Sequence, residues 1–303
     1  MRLALLFSGQ GHQRPEHWQR VGQAHGRWQG ALSAIIPNID DPAAGNDPEI
    51  LSRNAIAQPL IFAQQMLVWE SLRDALPRPV AVAGYSLGEM AACCVAGAFS
   101  ADEGLRLCLQ RAQAMDAAVG GEYAMLAVLG LDDAVVEAIA APMAVKVAIR
   151  NAPRHLVVAG ERRAIEAVAV RFAAAGSARL VPLAVRTPSH TPWLAAASEA
   201  FHRCLADFPE RRLNIPVLSA IDGQAARSAR GALDALARQI STPLDWAACL
   251  NTVRELQPDV VLEIGPGNAL SKLFAELAPD IPVRASDDFR SAAGLLDWLA
   301  RSA

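Results

Sequence analysis

The chain has 303 residues, of which 52% are hydrophobic and 19% are charged, and its formal net charge is -3. This composition predicts a globular protein with a sizeable core, either one large domain or a large domain with a smaller one. A charge balance so close to neutrality gives no electrostatic reason to expect nucleic acid or an anionic membrane as a partner.

The cysteines and the apolar runs argue against further classes of protein. The five cysteines are odd in number and have no CxxC spacing, so the sequence predicts neither a disulfide framework nor a zinc site. No stretch approaches the roughly 18 uninterrupted apolar residues of a membrane span. The apolar run at residues 3–7 is too short for a signal-peptide core, so we expect a cytoplasmic protein without a membrane partner.

The first part of the chain alternates between apolar strands and helical segments. Ser100 and Glu103 have the spacing of a capping box, which predicts that a helix begins there. In chain order, the predicted elements are a strand at 2–7, helical material to about Ile36, a loop at 37–48, a helix at 58–75, a strand at 79–83, and helices at 89–97 and 101–119.

The middle of the chain has a different order of elements, β-α-β-β-α-β, which is typical of a ferredoxin-like unit. The sequence therefore predicts a small inserted domain at 122–187, within a large α/β domain formed by 1–121 and 188–303. Strands at 215–219 and 259–264 alternate with helices in the second part, which favours a mostly parallel sheet. The strands of the insert are predicted at 124–129, 145–150, 155–159 and 179–185, and its helices at 132–141 and 162–175.

Residues 84–88 read Gly-Tyr-Ser-Leu-Gly, a G-x-S-x-G pattern between a predicted strand and a predicted helix. This is the context of a nucleophile elbow, in which a side chain on either glycine would collide. The turn would expose the Ser86 hydroxyl at a helix N-terminus, where N–H groups stabilise a developing oxyanion. The alternative is an ordinary glycine turn with a capping serine. Glu89, in the first helical turn, is expected only to complement the helix dipole.

A nucleophilic serine needs a general base. His190 lies between two prolines at the exit from the predicted small domain, where it should face the cleft between domains. A surface position in a loop is equally compatible with this context. Residue chemistry alone does not choose among the six histidines, which are His12, His17, His25, His155, His190 and His202.

Several short motifs follow one another along the chain. They are Gly-Gln-Gly-His-Gln at 9–13, Gln-Pro at 58–59, Gly-Tyr-Ser-Leu-Gly-Glu at 84–89, Arg111, Asn-Ala-Pro at 151–153, Pro-Ser-His at 188–190 and Glu-Ile-Gly-Pro-Gly at 263–267. In this order they resemble the motifs of the malonyl-CoA:acyl carrier protein transacylases, and the resemblance covers about residues 2–275. Because the motifs are ordered, together they are more specific than any one of them.

The resemblance implies an α/β-hydrolase-like large domain and a role for each catalytic residue. Ser86 would be the acylated nucleophile, and His190 would act as general base and then as general acid. A backbone carbonyl, here that of Gln239, would orient the histidine in place of an aspartate. The backbone N–H groups of Gln10 and Leu87 would form the oxyanion hole.

The resemblance also implies that Arg111 binds the free carboxylate of malonyl, with Gln58 and Asn151 as supporting polar contacts. A guanidinium matches a carboxylate with two parallel hydrogen bonds. An unpaired arginine in a dry pocket would be costly, so the site should favour a dicarboxylic acyl group over acetyl. The alternative is a solvated helix face that Arg111 shares with Arg106 and Asp116.

The implied reaction is a double displacement in which malonyl moves from malonyl-CoA to the phosphopantetheine thiol of an acyl carrier protein. It requires neither a metal nor a bound cofactor, and the resemblance implies a monomer. Three departures from the family leave the carrier open: Tyr85 stands where most members have histidine, Ser8 replaces the usual proline, and Arg186-Thr187 precedes the Pro-Ser-His motif. The acyltransferase subunit of malonate decarboxylase, which loads a different carrier, often varies at the Tyr85 position.

Two other classes of function compete with this interpretation. A serine thioester hydrolase of the α/β-hydrolase type predicts an HGGG-like loop, which the sequence lacks. It also predicts the chain order Ser, Asp, His, and it leaves the Gly-Gln-Gly-His-Gln start unexplained. Asp222-Gly223 could suggest a Ser–Asp lipid hydrolase, but one Asp-Gly dipeptide is very weak evidence. A scaffold that binds a carrier protein without catalysis predicts no acyl-serine and no loss of activity when Ser86 is replaced.

Overall fold

The computed structural model describes residues 1–23, 28–176 and 179–302. His25 and part of the helical stretch predicted up to Ile36 lie outside these residues. None of the helices within the described ranges has the length and apolar character that crossing a membrane requires.

Strands and helices alternate through most of the chain. The strands are β1 Leu3–Phe7, β2 Ala81–Gly84, β3 Tyr123–Leu129, β4 Lys146–Ala152, β5 His155–Glu161, β6 Arg179–Pro182, β7 Arg212–Leu218, β8 Ala225–Ser228, β9 Leu244–Asp245, β10 Val260–Ile264 and β11 Val283–Ala285. The α-helices are α1 Pro15–Gly22, α2 Trp28–Ile35, α3 Pro48–Ser52, α4 Asn54–Leu72, α5 Gly88–Ala96, α6 Ala101–Ala117, α7 Asp133–Ala140, α8 Arg162–Ala174, α9 Ala195–Leu205, α10 Ala229–Arg238, α11 Trp246–Glu255, α12 Ala269–Leu277 and α13 Ala292–Arg301.

The large sheet has the strand order β11-β10-β1-β2-β7-β8. Its pairs are parallel except for β7 with β8 at one edge, which confirms the mostly parallel α/β prediction. β1 lies in the middle and all five of its residues are buried. Helices on both faces explain why β1 is apolar throughout rather than at alternate positions.

The second sheet has the order β6-β3-β5-β4-β9. Its first four strands, with α7 and α8, follow the predicted β-α-β-β-α-β order and pair antiparallel. The short strand β9 adds to β4 in parallel, although its residues lie outside the predicted insert. The sheet therefore draws on chain beyond 122–187, and the domain boundaries at 121 and 188 stay predictions.

The two faces of β3 pack against different cores, as the two-residue period of a strand requires. Met125 and Ala127 join the core that also contains residues of β1 and α11. Leu126 and Val128 join the core under α7 and α8. The small sheet thus packs one face on the large domain and places Met125 close to the end of β2.

Sequence patterns missed β8, β9 and β11, which have two to four residues each. Strands this short have too few positions to show a period. Helix α4 begins at Asn54, four residues before the predicted start at 58, and α3 begins at Pro48, the last residue of the predicted 37–48 loop. These differences matter because Asn54 proves to be part of the site.

The elbow at 84–88 depends on the absence of two side chains. A Cβ on Gly88 would collide with the carbonyl of Phe7 at the end of β1, and a Cβ on Gly84 would collide with the backbone at Gly88 and Glu89. The turn is therefore packed directly against the neighbouring strand. This contact holds the start of α5 close to the loop that follows β1.

We expect Gly88→Ala to lower the free energy of unfolding by about 1–3 kcal/mol, because overpacking against backbone costs this much in close-packed interiors. Urea denaturation measures the change. Gly120→Ala is the control, since a Cβ there meets no atom within 4 Å. Equal stability of the Gly88→Ala and Gly120→Ala proteins would contradict the close approach of the elbow to β1.

Candidate active site

The carboxyl ends of three neighbouring parallel strands carry the motif loops. β1 leads into the Gly-Gln-Gly turn, β2 into the elbow with Ser86, and β10 into the Gly-Pro-Gly turn. Ligands of open α/β sheets bind at this edge because the loops after parallel strands meet there. The topology therefore brings motifs that are far apart in sequence to one place.

Ser86 has a backbone φ of 53°, in the left-handed region that few residues other than glycine adopt. The conformation lifts the side chain out of the turn between β2 and α5. The Ser86 hydroxyl donates to His190 Nε2 at 2.8 Å. The structure thus brings together the serine and the histidine that the sequence proposed as nucleophile and base.

His190 is fixed through both its backbone and its ring. Its backbone φ is also positive, 63°, and its backbone N–H donates to the carbonyl of Ile240 at 2.9 Å. Nδ1 lies 2.5 Å from the backbone carbonyl of Gln239. Because a carbonyl only accepts, Nδ1 carries the proton and Nε2 presents its lone pair to Ser86.

Burial lowers the pKa of His190 to about 3, although the Gln239 carbonyl acts to raise it and the charge of Arg111 lowers it further. The imidazole is therefore neutral at physiological pH, and its Nε2 lone pair is unprotonated. The other described histidines do not contact Ser86. His17 pairs with Asp287 and His202 with Asp234.

The two backbone N–H groups predicted to form an oxyanion hole lie beside Ser86 and are available as donors. Gln10 and Leu87 both line the cavity beside Ser86, and neither backbone N–H donates to a protein acceptor within the described residues. The Gln10 side chain is turned away, because its amide donates to the Ser52 carbonyl at 3.3 Å and to Asn54 at 3.2 Å. The backbone of Gln10 is thereby fixed while its N–H stays available.

Arg111 is 1% exposed, so it is not on the solvated helix face that contains Arg106. Its guanidinium donates to Gln58 Oε1 at 2.9 Å and to Gln239 Oε1 at 3.4 Å, both neutral amides. No carboxylate of the described residues lies within 4.0 Å of it. Burial lowers its pKa to about 10, so it remains a cation at neutral pH.

These groups surround one narrow cavity of about 60 Å³ between the two sheets. One wall is polar and comes from α4, α6 and the elbow, whereas the other is apolar and comes largely from the small sheet. The lining residues are Gln10, Gln58, Tyr85, Ser86, Leu87, Arg111, Met115, Met125, Ile149, Leu183, Val185, Ser189 and His190.

Gln239 and Asn151 do not line this cavity. Gln239 is buried behind His190, where its backbone was predicted to be. Asn151 lies on β4 behind Tyr85, and a hydrogen bond from its side chain opposes the rise that burial causes in the pKa of the Tyr85 phenol. Tyr85 also packs edge-on against Trp246, with the ring centroids 5.3 Å apart.

Asn54 belongs to the site and was missed by the sequence analysis. Its amide nitrogen donates to Asp116 at 2.6 Å and to the Thr187 hydroxyl at 2.9 Å, and its oxygen accepts from Gln10. It thus ties the Gly-Gln-Gly turn to the loop that carries His190. The available signal was its position one helical turn before Gln58, but α4 was predicted to start too late.

Ser8, which departs from the family pattern, has a specific partner. Its hydroxyl donates to the buried carboxylate of Glu263 at 2.7 Å. The same carboxylate accepts from the N–H groups of Leu270 and Ser271 at the start of α12. Burial raises the pKa of Glu263 while these donors act against the rise. This motif glutamate therefore joins the first loop to α12 and does not line the cavity beside Ser86.

Asp222 does not serve His190, whose second nitrogen faces a backbone carbonyl instead. The Asp222 carboxylate accepts from the N–H of Gln224 at 3.0 Å, within its own turn. The described residues therefore contain no Ser-His-Asp arrangement around Ser86. This geometry does not favour the competing interpretation, a serine thioester hydrolase.

Comparison with known proteins agrees with this arrangement. The sequence profile of the acyl transferase domain matches residues 32–277. A malonyl CoA-acyl carrier protein transacylase from Mycobacterium bovis is 32% identical over 293 residues, which cover 93% of this chain and 95% of that protein.

Solved structures match along nearly the whole chain. The malonyl-CoA:acyl carrier protein transacylase from Xanthomonas oryzae superimposes with a TM-score of 0.87 at 30% identity, covering 98% of this chain and 99% of that one. A malonyl-transacylase in complex with a type II polyketide acyl carrier protein gives 0.86 at 26% identity, with 99% and 100% coverage. The chain therefore belongs to the acyl transferase domain family, among the malonyl CoA-acyl carrier protein transacylases.

Proposed function

We propose that this protein transfers a malonyl group from malonyl-CoA to the phosphopantetheine thiol of an acyl carrier protein, through a malonyl ester on Ser86. The observation that carries the proposal is the hydrogen-bonded series Ser86–His190–Gln239 next to Arg111. This arginine is buried, and its hydrogen-bond partners among the described residues are neutral amides. The first three groups supply nucleophilic catalysis, and the arginine supplies a site for an acyl group that ends in a carboxylate.

In the first half-reaction, His190 Nε2 takes the hydroxyl proton as Ser86 Oγ attacks the thioester carbonyl. The carbonyl oxygen becomes an oxyanion that the N–H groups of Gln10 and Leu87 stabilise. When the C–S bond breaks, the imidazolium returns its proton to the departing sulfur of coenzyme A. The Gln239 carbonyl stabilises the imidazolium, since it accepts from Nδ1 in both protonation states.

In the second half-reaction, the carrier thiol gives its proton to His190 and attacks the carbonyl of the malonyl ester. The C–O bond to Ser86 breaks, and the proton passes from His190 to the serine oxygen. Ser86, His190 and the Gln239 carbonyl thus serve both half-reactions. Neither step calls for a metal or a bound cofactor.

Arg111 would orient the acyl group. Its position at the cavity, with a buried charge that no carboxylate compensates, favours a ligand that brings its own negative charge. Malonyl does so and acetyl does not. The apolar wall from the small sheet would face the rest of the acyl chain and exclude water.

An acyl carrier protein as acceptor is supported by the related malonyl-transacylase solved with its carrier. The malonate decarboxylase carrier and thioester hydrolysis are less well supported, because the relatives described above are named for carrier-protein transfer. A monomeric state, a cytoplasmic location and independence of cofactors stay predictions from the sequence. The hydrogen bond between Ser86 and His190 argues against a non-catalytic scaffold, because a scaffold needs no activated serine.

We expect intact-protein mass spectrometry, after brief mixing with malonyl-CoA, to show a malonyl-sized adduct that later moves to an added acyl carrier protein. Ser86→Ala should abolish the adduct because it removes the nucleophile. Ser189→Ala is the matched control, since Ser189 lines the same cavity but has no part in the proposed chemistry, and it should keep the adduct. Release of coenzyme A without an adduct or transfer would indicate a hydrolase, and an adduct that persists in Ser86→Ala would contradict the proposal.

Arg111→Ala should reduce kcat/KM for malonyl-CoA by at least about 30-fold, the lower end of the effect of truncating one partner of a buried charge pair. The rate with acetyl-CoA should stay unchanged or rise, because the acetyl group has no carboxylate for Arg111 to bind. Arg106→Ala, on the exposed face of the same helix, should leave both rates unchanged. Equal losses with both substrates would show that Arg111 acts on the fold and not on the acyl group.

The acylation rate should stay level between pH 7 and pH 5, because the lowered pKa of His190, about 3, keeps the base neutral throughout. A histidine with an ordinary pKa of about 6.5 would lose roughly thirtyfold at pH 5. Single-turnover mixing with malonyl-CoA measures this rate at each pH. A decline with a midpoint near 6.5 would mean that His190 is solvated and not held as described.

A further inference from the structure

Glu89 is a buried acid that the proposed mechanism does not use. It lies one helical turn after Ser86, in the first turn of α5, and its side chain has no exposure. An exposed carboxylate would be enough to stabilise the positive end of the helix dipole, so the dipole alone does not explain why Glu89 is buried. The groups around Glu89 indicate another role.

The amide of Gln239 links Glu89 to both functional parts of the site. Its nitrogen donates to Glu89 Oε2 at 3.2 Å and to the Ser86 carbonyl at 2.8 Å. Its oxygen accepts from Arg111 at 3.4 Å. The orientation of the amide follows from these partners, because the reverse would face its N–H groups toward the guanidinium and its oxygen toward two other oxygens.

The charges around Glu89 come from several elements. Arg111 on α6 is the facing cation, and Asp222 in the turn after β7 is the facing anion. Cys93 on α5 and Cys249 on α11 also face it, and burial keeps their pKa values well above the ordinary one, so both are neutral thiols. The N–H of Ala220 donates to Glu89 Oε2 at 3.3 Å, whereas Oε1 has no partner among the described residues.

Burial raises the pKa of Glu89 to about 8, against the opposing effects of the Ala220 N–H, Arg111 and Gln239, and with Asp222 adding to the rise. At pH 7 the side chain is therefore mostly a neutral acid. Above pH 8 it becomes a carboxylate that is attracted to the Arg111 guanidinium. A malonyl carboxylate bound at Arg111 would be a second anion in the same buried region.

We infer that Glu89 is a positioning residue for malonyl recognition: as a neutral acid it leaves the Arg111 charge to the substrate, and as a carboxylate it competes through the Gln239 bridge. The inference rests on the proposed function. Its consequence is a linkage between malonyl binding and protonation. Above pH 8, binding of malonyl at Arg111 is accompanied by uptake of one proton from solvent onto Glu89.

The sign of the pH effect follows from this linkage. Two buried carboxylates beside one cation repel each other, so the complex with malonyl favours protonated Glu89 more than the free enzyme does. Affinity for malonyl is then full below pH 8 and falls as the pH rises above it. Acetyl has no carboxylate, so its use does not depend on Glu89.

The test is the ratio of kcat/KM for malonyl-CoA to kcat/KM for acetyl-CoA, measured at pH 7, 8 and 9. The ratio cancels pH effects on Ser86, His190 and the fold, which the two substrates share. We expect it to fall up to about tenfold from pH 7 to pH 9 in the wild type, the limit for one proton with a pKa near 8. It should stay level in Glu89→Gln, which mimics the neutral acid.

Glu103→Gln is the matched control, because Glu103 caps α6, the helix that carries Arg111, and its Ser100 contacts hold its pKa below the ordinary value. It should keep the wild-type fall. A level ratio in the wild type, or the same fall in Glu89→Gln, would overturn the inference while the malonyl adduct on Ser86 still forms. Failure to form that adduct would instead count against the proposed function.

A second measurement covers the case in which Glu89→Gln does not fold. Wild-type protein is mixed with malonyl-CoA or acetyl-CoA at pH 8.5 in weak buffer with a pH indicator. Both reactions release coenzyme A, so its ionisation cancels in the difference. Greater proton uptake with malonyl-CoA is expected, and equal signals from the two substrates would overturn the inference.

Discussion

The hydrogen bond from His190 Nδ1 to the Gln239 carbonyl, 2.5 Å long, is the interaction on which the site depends. Gln239 is the C-cap of α10, and the last carbonyls of a helix have no partner within it. The end of α10 therefore supplies an acceptor that orients the base without adding a titratable charge. An aspartate in this place would bring a second buried titratable carboxyl close to Glu89, whereas the Gln239 carbonyl adds no charge beside the buried Arg111.

The side chain of the same residue connects the Ser86–His190 pair to the buried cation Arg111. Its amide contacts the Ser86 backbone, Glu89 and Arg111. Through this one amide, a change in charge at Arg111 affects both the Ser86 backbone and the buried acid Glu89. In a buried site such couplings are strong because little water screens them. On the proposed function, the same lack of screening would let Arg111 distinguish an acyl group with a carboxylate from one without.

Local patterns in the sequence were enough for the strand–turn–helix around Ser86, for the β-α-β-β-α-β order of the middle segment and for a mostly parallel large sheet. Each of these follows from short-range rules: apolar period, capping residues, and glycines where Gly84 and Gly88 leave no room for a Cβ. The ordered motifs added the family and, with it, the choice of His190 and Arg111. Residue chemistry alone had left six histidines and a solvated arginine as open alternatives.

Tertiary structure decided what depends on contacts between distant segments. Only the fold shows that Arg111 is buried with neutral partners while Arg106 is exposed, that Asn54 joins two loops, and that β9 extends the small sheet. It also places Asn151 behind Tyr85 instead of in the cavity. No local pattern records these facts, because each contact joins residues 40 or more positions apart or depends on burial, as with the pairs Arg111–Gln58 and Arg111–Gln239. The sequence by itself determined which residues could do the chemistry; the packing of the two sheets determined which of them meet, and in what state of charge.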